Sequence, residues 1–353
     1  LDDHLARVLR AGMGGRVKIL SVAYPFAPVT ADPAGGAEQV LAALDHALVA
    51  AGHQSLVIAA AGSEVAGSLR AVPAVEGAID DAARARVHAA VRGEIAAAIR
   101  DDTPGLVHCH GIDFDAYLPT EGPPRVVTLH LPLDWYPLDA FGAGVTFVPV
   151  SADQASRAPW LPLAAPIENG VDLDRYLPAG SKRGYALVLG RVAPEKGFHD
   201  AIAAAKAADV ELIAAGVLYP YPAHQAYFAT QVAPALDDRR RFVGPVAGAE
   251  KARLLAEARC LLVPSTAPET SSLVAMEALA SGTPVIAYRA GALPSIVEHD
   301  VTGFIVDDVE GMAAAIGRVD AIDPRACRAA AEARFGIDRM VRAYFDLYAR
   351  LAA

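Results

Sequence analysis

The sequence predicts an α/β protein of two Rossmann-like, doubly wound parallel-sheet domains facing across a cleft. Three observations carry this. From Arg16 onward, short β-branched runs alternate with longer amphipathic stretches. The short runs are mainly apolar, as in parallel strands buried on both faces by helices. The alternation breaks at the Pro-rich Ala158-Pro-Trp-Leu-Pro-Leu-Ala-Ala-Pro166 and then restarts, which marks a linker. A chain of 353 residues is also long for a single core.

In chain order, the first series of strands is expected at Val17–Val22, Gln54–Ala60, Gly105–Cys109, Arg125–Leu129 and Val145–Val150. Helical patterns lie between them at Ala37–Ala51, closed by Gly52, and at Asp80–Arg100. The second series runs through Tyr185–Leu189, Val210–Ala214, Arg241–Val243, Cys260–Val263, Pro284–Ala287 and Gly303–Val306. A last helical pattern, Asp338–Leu351, carries Tyr344, Phe345 and Tyr348 and is expected to pack across the domains, back onto the first. The expected domains are therefore 14–166 with the helix 337–353, and 167–336. Residues before Gly14 read as a leader, with Met13 an internal start, and stay outside the fold reasoning.

Hydrophobic residues make up 54% of the chain and the formal net charge is -10, which disfavours nucleic acid as a partner. The Arg239-Arg240-Arg241 run is short and reads as a solvated loop face. Cys109, Cys260 and Cys327 show no CxxC spacing, and two of them sit in apolar strand-like runs, so buried free thiols are expected. No apolar run is long enough for a transmembrane segment, and the N-terminus lacks a signal-peptide layout, so a cytoplasmic enzyme is expected.

In open α/β folds, ligands collect beyond the C-terminal ends of the strands. Three turns of the second half fall there. After Tyr185–Leu189 comes Gly190-Arg191-Val-Ala-Pro-Glu195-Lys196-Gly197, whose two cations could clamp a diphosphate; ion pairing with Glu195 is the alternative. Phe242-Val243-Gly244-Pro245-Val246 could bring a backbone edge to a base, or be an ordinary turn. The third is Glu269-Thr270-Ser271-Ser272-Leu273-Val-Ala-Met-Glu277, leading into Ser281-Gly282-Thr-Pro-Val-Ile. It puts one carboxylate in a loop and another on a helix capped by Ser271 or Ser272. Free N–H groups at that helix start suit a phosphate. Carboxylates on either side suit vicinal hydroxyls, so the pattern describes a nucleotide sugar; helix-surface charges are the plain alternative. Glu277 sits among Val274, Met276 and Leu279, where an unpaired charge is costly and ribose hydroxyls would satisfy it.

In the first half, the long loop after the first strand ends in Gly35-Gly36 at a helix start, where backbone N–H groups could meet a phosphate or sugar. It is not GxGxxG, and Gly12-Met-Gly14-Gly15 precedes the strand, so a dinucleotide-dependent dehydrogenase is weakly supported. His108 and His110 are expected to face opposite ways, which argues against a shared metal with Cys109. His130 closes Val126-Val-Thr-Leu-His130 at a strand's C-terminal edge, where it could bond a sugar hydroxyl or be satisfied locally.

Jointly these segments resemble the large family 4 of retaining glycosyltransferases (glycosyl transferases group 1), with the GT-B fold, over nearly the whole chain. The carrying motifs are Gly35-Gly36-Ala-Glu38, Thr128-Leu-His130, Ile167-Glu-Asn169-Gly170-Val171-Asp172, Gly190-Arg191…Glu195-Lys196-Gly197, and Glu269 with Glu277 before Ser281-Gly-Thr-Pro-Val-Ile. The resemblance implies a hexosyl transfer from a nucleoside-diphosphate sugar, UDP-linked by expectation, to an unassigned glycan, lipid-linked or small-molecule acceptor. It implies a front-face, retaining route with no cofactor and no bound metal, in keeping with the lack of a DxD-type cluster at a strand end. Arg191 and Lys196 would stabilise the leaving diphosphate. Glu277 would hold the ribose, while Glu269 and the N–H groups around Ser271–Leu273 would hold donor-sugar hydroxyls and phosphate. Gly36 would approach the donor phosphate and His130 the sugar near its anomeric centre. Thr270, Ser271, Ser272, Gly35, Gly190 and Val246 complete the expected donor site.

One departure stands out: the first Glu of the motif is commonly followed by Pro-Phe-Gly, and here by Thr270-Ser271-Ser272. Backbone amides can still serve, but the donor preference attached to that tripeptide does not carry over. The other readings are a nucleotide-sugar epimerase or phosphorylase of the same fold, and a catalytically silent sugar-nucleotide binding module. A location peripheral to the inner membrane face is a further expectation.

Overall fold

The structure, a computed structural model, describes residues 15–352 apart from 31, 32, 34 and 78. The expected leader before Gly14 lies outside the described residues, as does part of the long loop that precedes Gly35. The described chain divides into two compact units: residues up to Asn169 with those from Ile337 onward, and Gly170–Gly336.

The first unit holds β1 Lys18–Val22, β2 Gln54–Ala60, β3 Ser68–Val72, β4 Leu106–Cys109, β5 Arg125–Leu129 and β6 Val145–Pro149. They form one parallel sheet in the order β3-β2-β1-β4-β5-β6. Successive side chains of a strand point to opposite faces. Accordingly Ile19 joins a core with Val40, Leu44 and Leu48 of the Gly36–Ala50 helix. Its neighbour Leu20 joins another with Val87, Val91 and Ile95 of the Asp81–Asp102 helix. Asp80 caps that second helix, its side chain accepting from the Ala83 N–H at 2.7 Å. The Ile337–Leu351 helix adds Val341, Tyr344, Phe345 and Tyr348 to the first of these cores. That spacing makes one apolar stripe, and burying each large side chain stabilises the unit by about 1.5–3 kcal/mol. Strand β3 was not anticipated: of its five residues only Val72 is buried, so no apolar run announces this sheet edge.

The second unit repeats the plan with β7 Tyr185–Leu189, β8 Glu211–Ala215, β9 Arg240–Phe242, β10 Cys260–Val263, β11 Val285–Tyr288 and β12 Gly303–Val306. Their order is β12-β11-β10-β7-β8-β9, again parallel. The helices Phe198–Ala207, Gly248–Glu257, Leu273–Ala280, Val309–Arg318 and Pro324–Arg334 connect or follow these strands.

Two expectations need correction. The Arg239–Arg241 run is not a solvated loop. It enters edge strand β9, and alternation turns Arg240 inward, where it is buried, donates to the Ala205 carbonyl at 3.2 Å and pairs with Asp237 at 3.5 Å. His108 and His110 do not face opposite ways: residues two apart on a strand share a face, and their ring centroids lie 3.9 Å apart. All three cysteines are buried and free. Among the described residues no helix is long and apolar enough to cross a membrane.

Candidate functional site

The second sheet reverses its winding between β7 and β10. At such a switch point the loops leaving the two strands part in opposite directions and open a crevice at their C-terminal ends. Residues singled out in the second half of the sequence lie on the loops that leave these two strands. The β7 loop passes Gly190 and Arg191 and turns through the short 3-10 segment Pro194–Lys196 to Gly197. Gly197 has φ 64°, and a Cβ on it would lie 2.1 Å from the Pro264 carbonyl oxygen. Only glycine lets the β7 loop lie this close to the β10 loop. The Thr266 N–H then donates to the Glu195 carbonyl at 2.9 Å, tying the two loops together.

This closure brings Lys196 Nζ to 2.6 Å from Glu269 Oε1. The Ser265 hydroxyl donates to the same carboxylate oxygen. Glu269 is held through its backbone as well, its carbonyl accepting from the Ala292 N–H at 2.7 Å. A Cβ on Gly291, which has φ 57°, would meet that carbonyl oxygen at 2.1 Å. Arg191 approaches Glu195 at 3.6 Å, a loose and half-exposed pair. Gly190 and Gly216 approach so closely that a Cβ on Gly216 would lie 1.9 Å from the Gly190 carbonyl oxygen. Val246 follows β9 and packs, half-buried, on the core of this unit.

After Glu269, Thr270 and Ser271, the helix Leu273–Ala280 begins with Ser272 at its N-cap. The expected side-chain cap is not made: Ser272 supplies no such bond, and the buried Ser271 Oγ has no partner among the described residues. Among the described residues the first-turn N–H groups thus receive no capping bond from the Ser272 side chain. Glu277 comes one turn later and is 2% exposed. The sequence left its charge to be satisfied by a ligand; the protein itself does half of that. Its Oε1 accepts from Lys251 Nζ at 2.7 Å and from the Tyr176 hydroxyl at 2.9 Å. Its Oε2 is buried with no partner among the described residues.

Lys251, Tyr176 and Ser265 were missed in the sequence. Lys251 had a signal: it falls with Leu254 and Leu255 on the buried face of the Gly248–Glu257 helix, where a lysine needs a buried partner. A cavity of about 530 Å³ lined by Arg183, Glu211, Arg241 and Arg253 lies at the N-terminal ends of β7 to β9, the other edge of the sheet.

In the first unit, Gly35 and Gly36 start the Gly36–Ala50 helix beyond the end of β1. His130 follows β5, its Nε2 lying 3.4 Å from His110 Nδ1. His108 is enclosed between the Tyr348 hydroxyl at 2.7 Å and Thr128 Oγ1 at 2.8 Å, and Thr128 in turn meets the Tyr344 hydroxyl at 2.8 Å. Burial lowers His108 and His130 to about 3 and His110 well below its ordinary value, so all three rings are neutral at pH 7. Among the described residues no group of three His, Cys, Asp or Glu side chains is placed to hold a metal ion.

Two parallel sheets with a charged crevice at a switch point define a GT-B type of α/β protein, and the comparisons agree. Residues 34–175 match the family described as Glycosyltransferase Family 4, and residues 183–320 match Glycosyl transferases group 1. The chain belongs to the group 1, family 4 glycosyltransferases. It is 34% identical over 227 residues to the D-inositol 3-phosphate glycosyltransferase of Salinispora tropica, a match covering 53% of this chain and 46% of that one. The chain thus spans less than half the length of the curated relatives it matches. Among solved structures, sucrose-phosphate synthase from Thermosynechococcus elongatus shares the fold with a TM-score of 0.79 at 20% identity, over 95% of this chain and 99% of that one. Anabaena HepE in complex with UDP-glucose superposes with a TM-score of 0.73 at 19% identity, over 93% and 98% of the two chains.

Proposed function

We propose that this protein transfers a sugar from a nucleoside-diphosphate sugar, UDP-linked, to an acceptor, with retention at the anomeric carbon. The second unit is the donor unit and the first the acceptor unit. The observation that carries the reading is Glu277: a buried carboxylate with one oxygen pinned by Lys251 and Tyr176 and the other unpartnered among the described residues. A buried polar atom left unmet costs about 1–3 kcal/mol, and a ribose hydroxyl reaching Oε2 removes that cost. Beside it, the uncapped start of the Leu273–Ala280 helix takes a phosphate, and Thr270, Ser271 and Leu273 line the approach. Lys196 and Arg191, each now held by a carboxylate, turn to the diphosphate and balance its charge as the glycosidic bond breaks. They serve in the role that a metal ion fills in other transferases. Glu269, released by Lys196, takes a donor-sugar hydroxyl. His130, neutral, offers a hydrogen bond without a charge. Catalysis at the cytoplasmic side, peripheral to the membrane, fits this donor chemistry.

The test is a thermal-shift panel of UDP-, GDP-, ADP- and TDP-sugars on the wild type and on Glu277→Ala and Lys196→Ala. UDP-sugars stabilise the wild type by an amount that grows with the logarithm of their concentration above Kd, and stabilise both variants markedly less at the same concentration. Equal shifts in all three proteins refute the site. Incubation with donor alone, followed by analysis for an epimer, separates transfer from epimerisation.

A further inference from the structure

The cavity at the N-terminal ends of β7 to β9 lies on the opposite edge of the second sheet from the Lys196 and Glu269 loops. Its volume of about 530 Å³ is that of a small-molecule site, larger than one inorganic ion needs. Strand register builds it. Tyr185 pairs with Glu211 across β7 and β8, and Ile213 pairs with Arg241 across β8 and β9. Paired and alternate residues share a face, so these four side chains point to one side of the sheet. The Gly248–Glu257 helix packs on that side, its Leu254 carbonyl accepting from the Tyr185 hydroxyl at 2.9 Å. Over β9 the same face is open: Arg241 is exposed, and Val243, two residues on, is 49% exposed. The cavity is the gap between the helix and this edge strand.

Arginines stand on both of its walls. On the helix side, Arg183 and Arg253 converge on one carboxylate oxygen, Glu257 Oε2, at 3.2 and 2.8 Å. One oxygen shared by two guanidinium groups leaves most of their N–H donors unused. The Arg183 N–H also donates to the Glu257 carbonyl at 2.7 Å, which fixes the approach to β7 against the end of the helix. On the strand side, Arg239 pairs with Asp209, whose side chain is 82% exposed. The Arg241 guanidinium makes no ion pair or hydrogen bond among the described residues. The carboxylate of Glu211, on the middle strand, makes none among them either. An arginine and a glutamate that line one cavity without meeting leave room between them for a ligand that answers both. Arg183, Arg239, Arg241 and Arg253 stand against the carboxylates of Asp209, Glu211 and Glu257, so the cavity keeps a positive balance on a chain of net charge -10. Adjacent strands lie about 4.8 Å apart, so the backbones of β7 and β9 are separated by about 10 Å. A single phosphate reaches one wall; two anionic groups on one small frame reach both.

We propose that this cavity is a second ligand site, separate from the donor crevice, and binds a small soluble molecule with a phosphate group at each end and a hydroxyl between. The planar forks of Arg183 and Arg253 take one phosphate, and Arg241 with Arg239 takes the other. Glu211 accepts from the hydroxyl, and Ile213 gives the frame an apolar floor.

The experiment is calorimetric titration of the full chain with fructose 1,6-bisphosphate, fructose 6-phosphate and inorganic phosphate as probes, with UDP present at saturation to occupy the donor crevice. The bisphosphate binds at least about tenfold more tightly than either monophosphate, the worth of a second set of charge-assisted hydrogen bonds. Arg241→Ala and Arg253→Ala each weaken the bisphosphate by about tenfold or more and narrow its lead over fructose 6-phosphate. Both arginines are at least half exposed or unpaired at the surface, so the free variants melt with the wild type. Lys196→Ala, in the donor crevice, leaves bisphosphate affinity unchanged, which separates this site from that one however UDP behaves. Equal affinities for bisphosphate and monophosphate in the wild type overturn the proposal, as does a bisphosphate affinity that neither arginine variant changes or that Lys196→Ala lowers as much. Failure of the wild type to bind any of the three probes overturns it too. Vesicles of phosphatidylglycerol and phosphatidylcholine form the last arm: binding to them that Arg241→Ala abolishes, with no binding of the soluble probes, assigns the arginines to a lipid headgroup and overturns the soluble ligand.

Discussion

Replacing Lys251 by methionine removes the cation that the buried Glu277 faces while keeping most of the lysine's apolar stem. The two side chains are 7% and 2% exposed and their charged atoms lie 2.7 Å apart. At an effective dielectric constant of about 20, attraction at that distance is roughly 6 kcal/mol. Methionine forfeits it but also frees the fold from desolvating an ammonium group. The net cost of breaking a buried pair from one side is about 3–5 kcal/mol. For a unit of this size, that lowers the melting temperature by roughly 6–20 °C. Lys251→Met with Glu277→Gln then removes the stranded charge. Tyr176 can still donate to the amide oxygen, so the double variant recovers at least about 2 kcal/mol relative to Lys251→Met alone. Hydrogen exchange of the β10 and β11 amides reads out the second unit by itself, and urea midpoints give the same ranking. A loss below about 1 kcal/mol in Lys251→Met, or a double variant no more stable than the single, refutes the view that Lys251 neutralises Glu277.

Other outcomes follow from single contacts. Gly291→Ala strains a residue at φ 57° and drives a methyl into the Glu269 backbone, so donor binding measured calorimetrically falls at least about tenfold. An unchanged affinity would mean that Glu269 does not contact the donor. Lys196→Ala weakens UDP by about 10- to 150-fold, the worth of a charge-assisted hydrogen bond, with the loss shrinking as salt rises. His108, His110 and His130 are held neutral by burial with folded values far below 6.5. Their contribution is therefore present above pH 6.5 and is lost as pH falls toward 3, each at up to about 1.4 kcal/mol per pH unit. His108→Gln should flatten the acid side of the first unit's stability profile by about one proton; an unchanged slope refutes this origin.

Much of the fold could be read from the chain because parallel strands buried on both faces write themselves as apolar runs. Tyr185–Leu189 and Cys260–Val263 are such runs and were bounded to the residue. Ser68–Val72 is an edge strand with one buried residue, and nothing in its composition separates it from a loop. Arg240 was misread for a related reason: three successive charges look solvated until alternation along an edge strand turns the middle one inward. His108 and His110 obey the same alternation: two residues apart, they share a face.

The candidate site was legible where chemistry follows chain order and not where it depends on tertiary pairing. Glu269 and Lys196 are 73 residues apart, and only the glycine-mediated approach of the β7 and β10 loops shows that they pair. Tyr176 is 101 residues from Glu277, and its residue type gives no hint of that bond. Lys251 is the exception, because a lysine on an apolar helix face is already a question about its partner. The Thr270-Ser271-Ser272 departure also gains a physical meaning. Ser271 leaves its hydroxyl oxygen buried and unpartnered among the described residues, where the family's commoner residue has none.

Self-neutralisation of the second unit's crevice bears on how it selects a ligand. Lys196 is held by Glu269, Arg191 approaches Glu195, and Lys251 is held by Glu277. A neutral sugar cannot displace Glu269 from Lys196, because a hydroxyl is a poor exchange for a carboxylate at 2.6 Å. A diphosphate can, since it brings its own negative charge and leaves Glu269 exposed to hydroxyl donors on the attached sugar. The exchange requires both halves of the ligand: UDP alone frees Glu269 without a new partner, and a free sugar never frees it. UDP-sugar should therefore bind more tightly than the affinities of UDP and free sugar suggest separately, and Glu269→Gln should abolish that excess while tightening UDP itself, whose diphosphate no longer competes with a carboxylate for Lys196. Calorimetric titrations with UDP, glucose and UDP-glucose measure it directly. An excess that survives in Glu269→Gln would show that the sugar is held without this exchange.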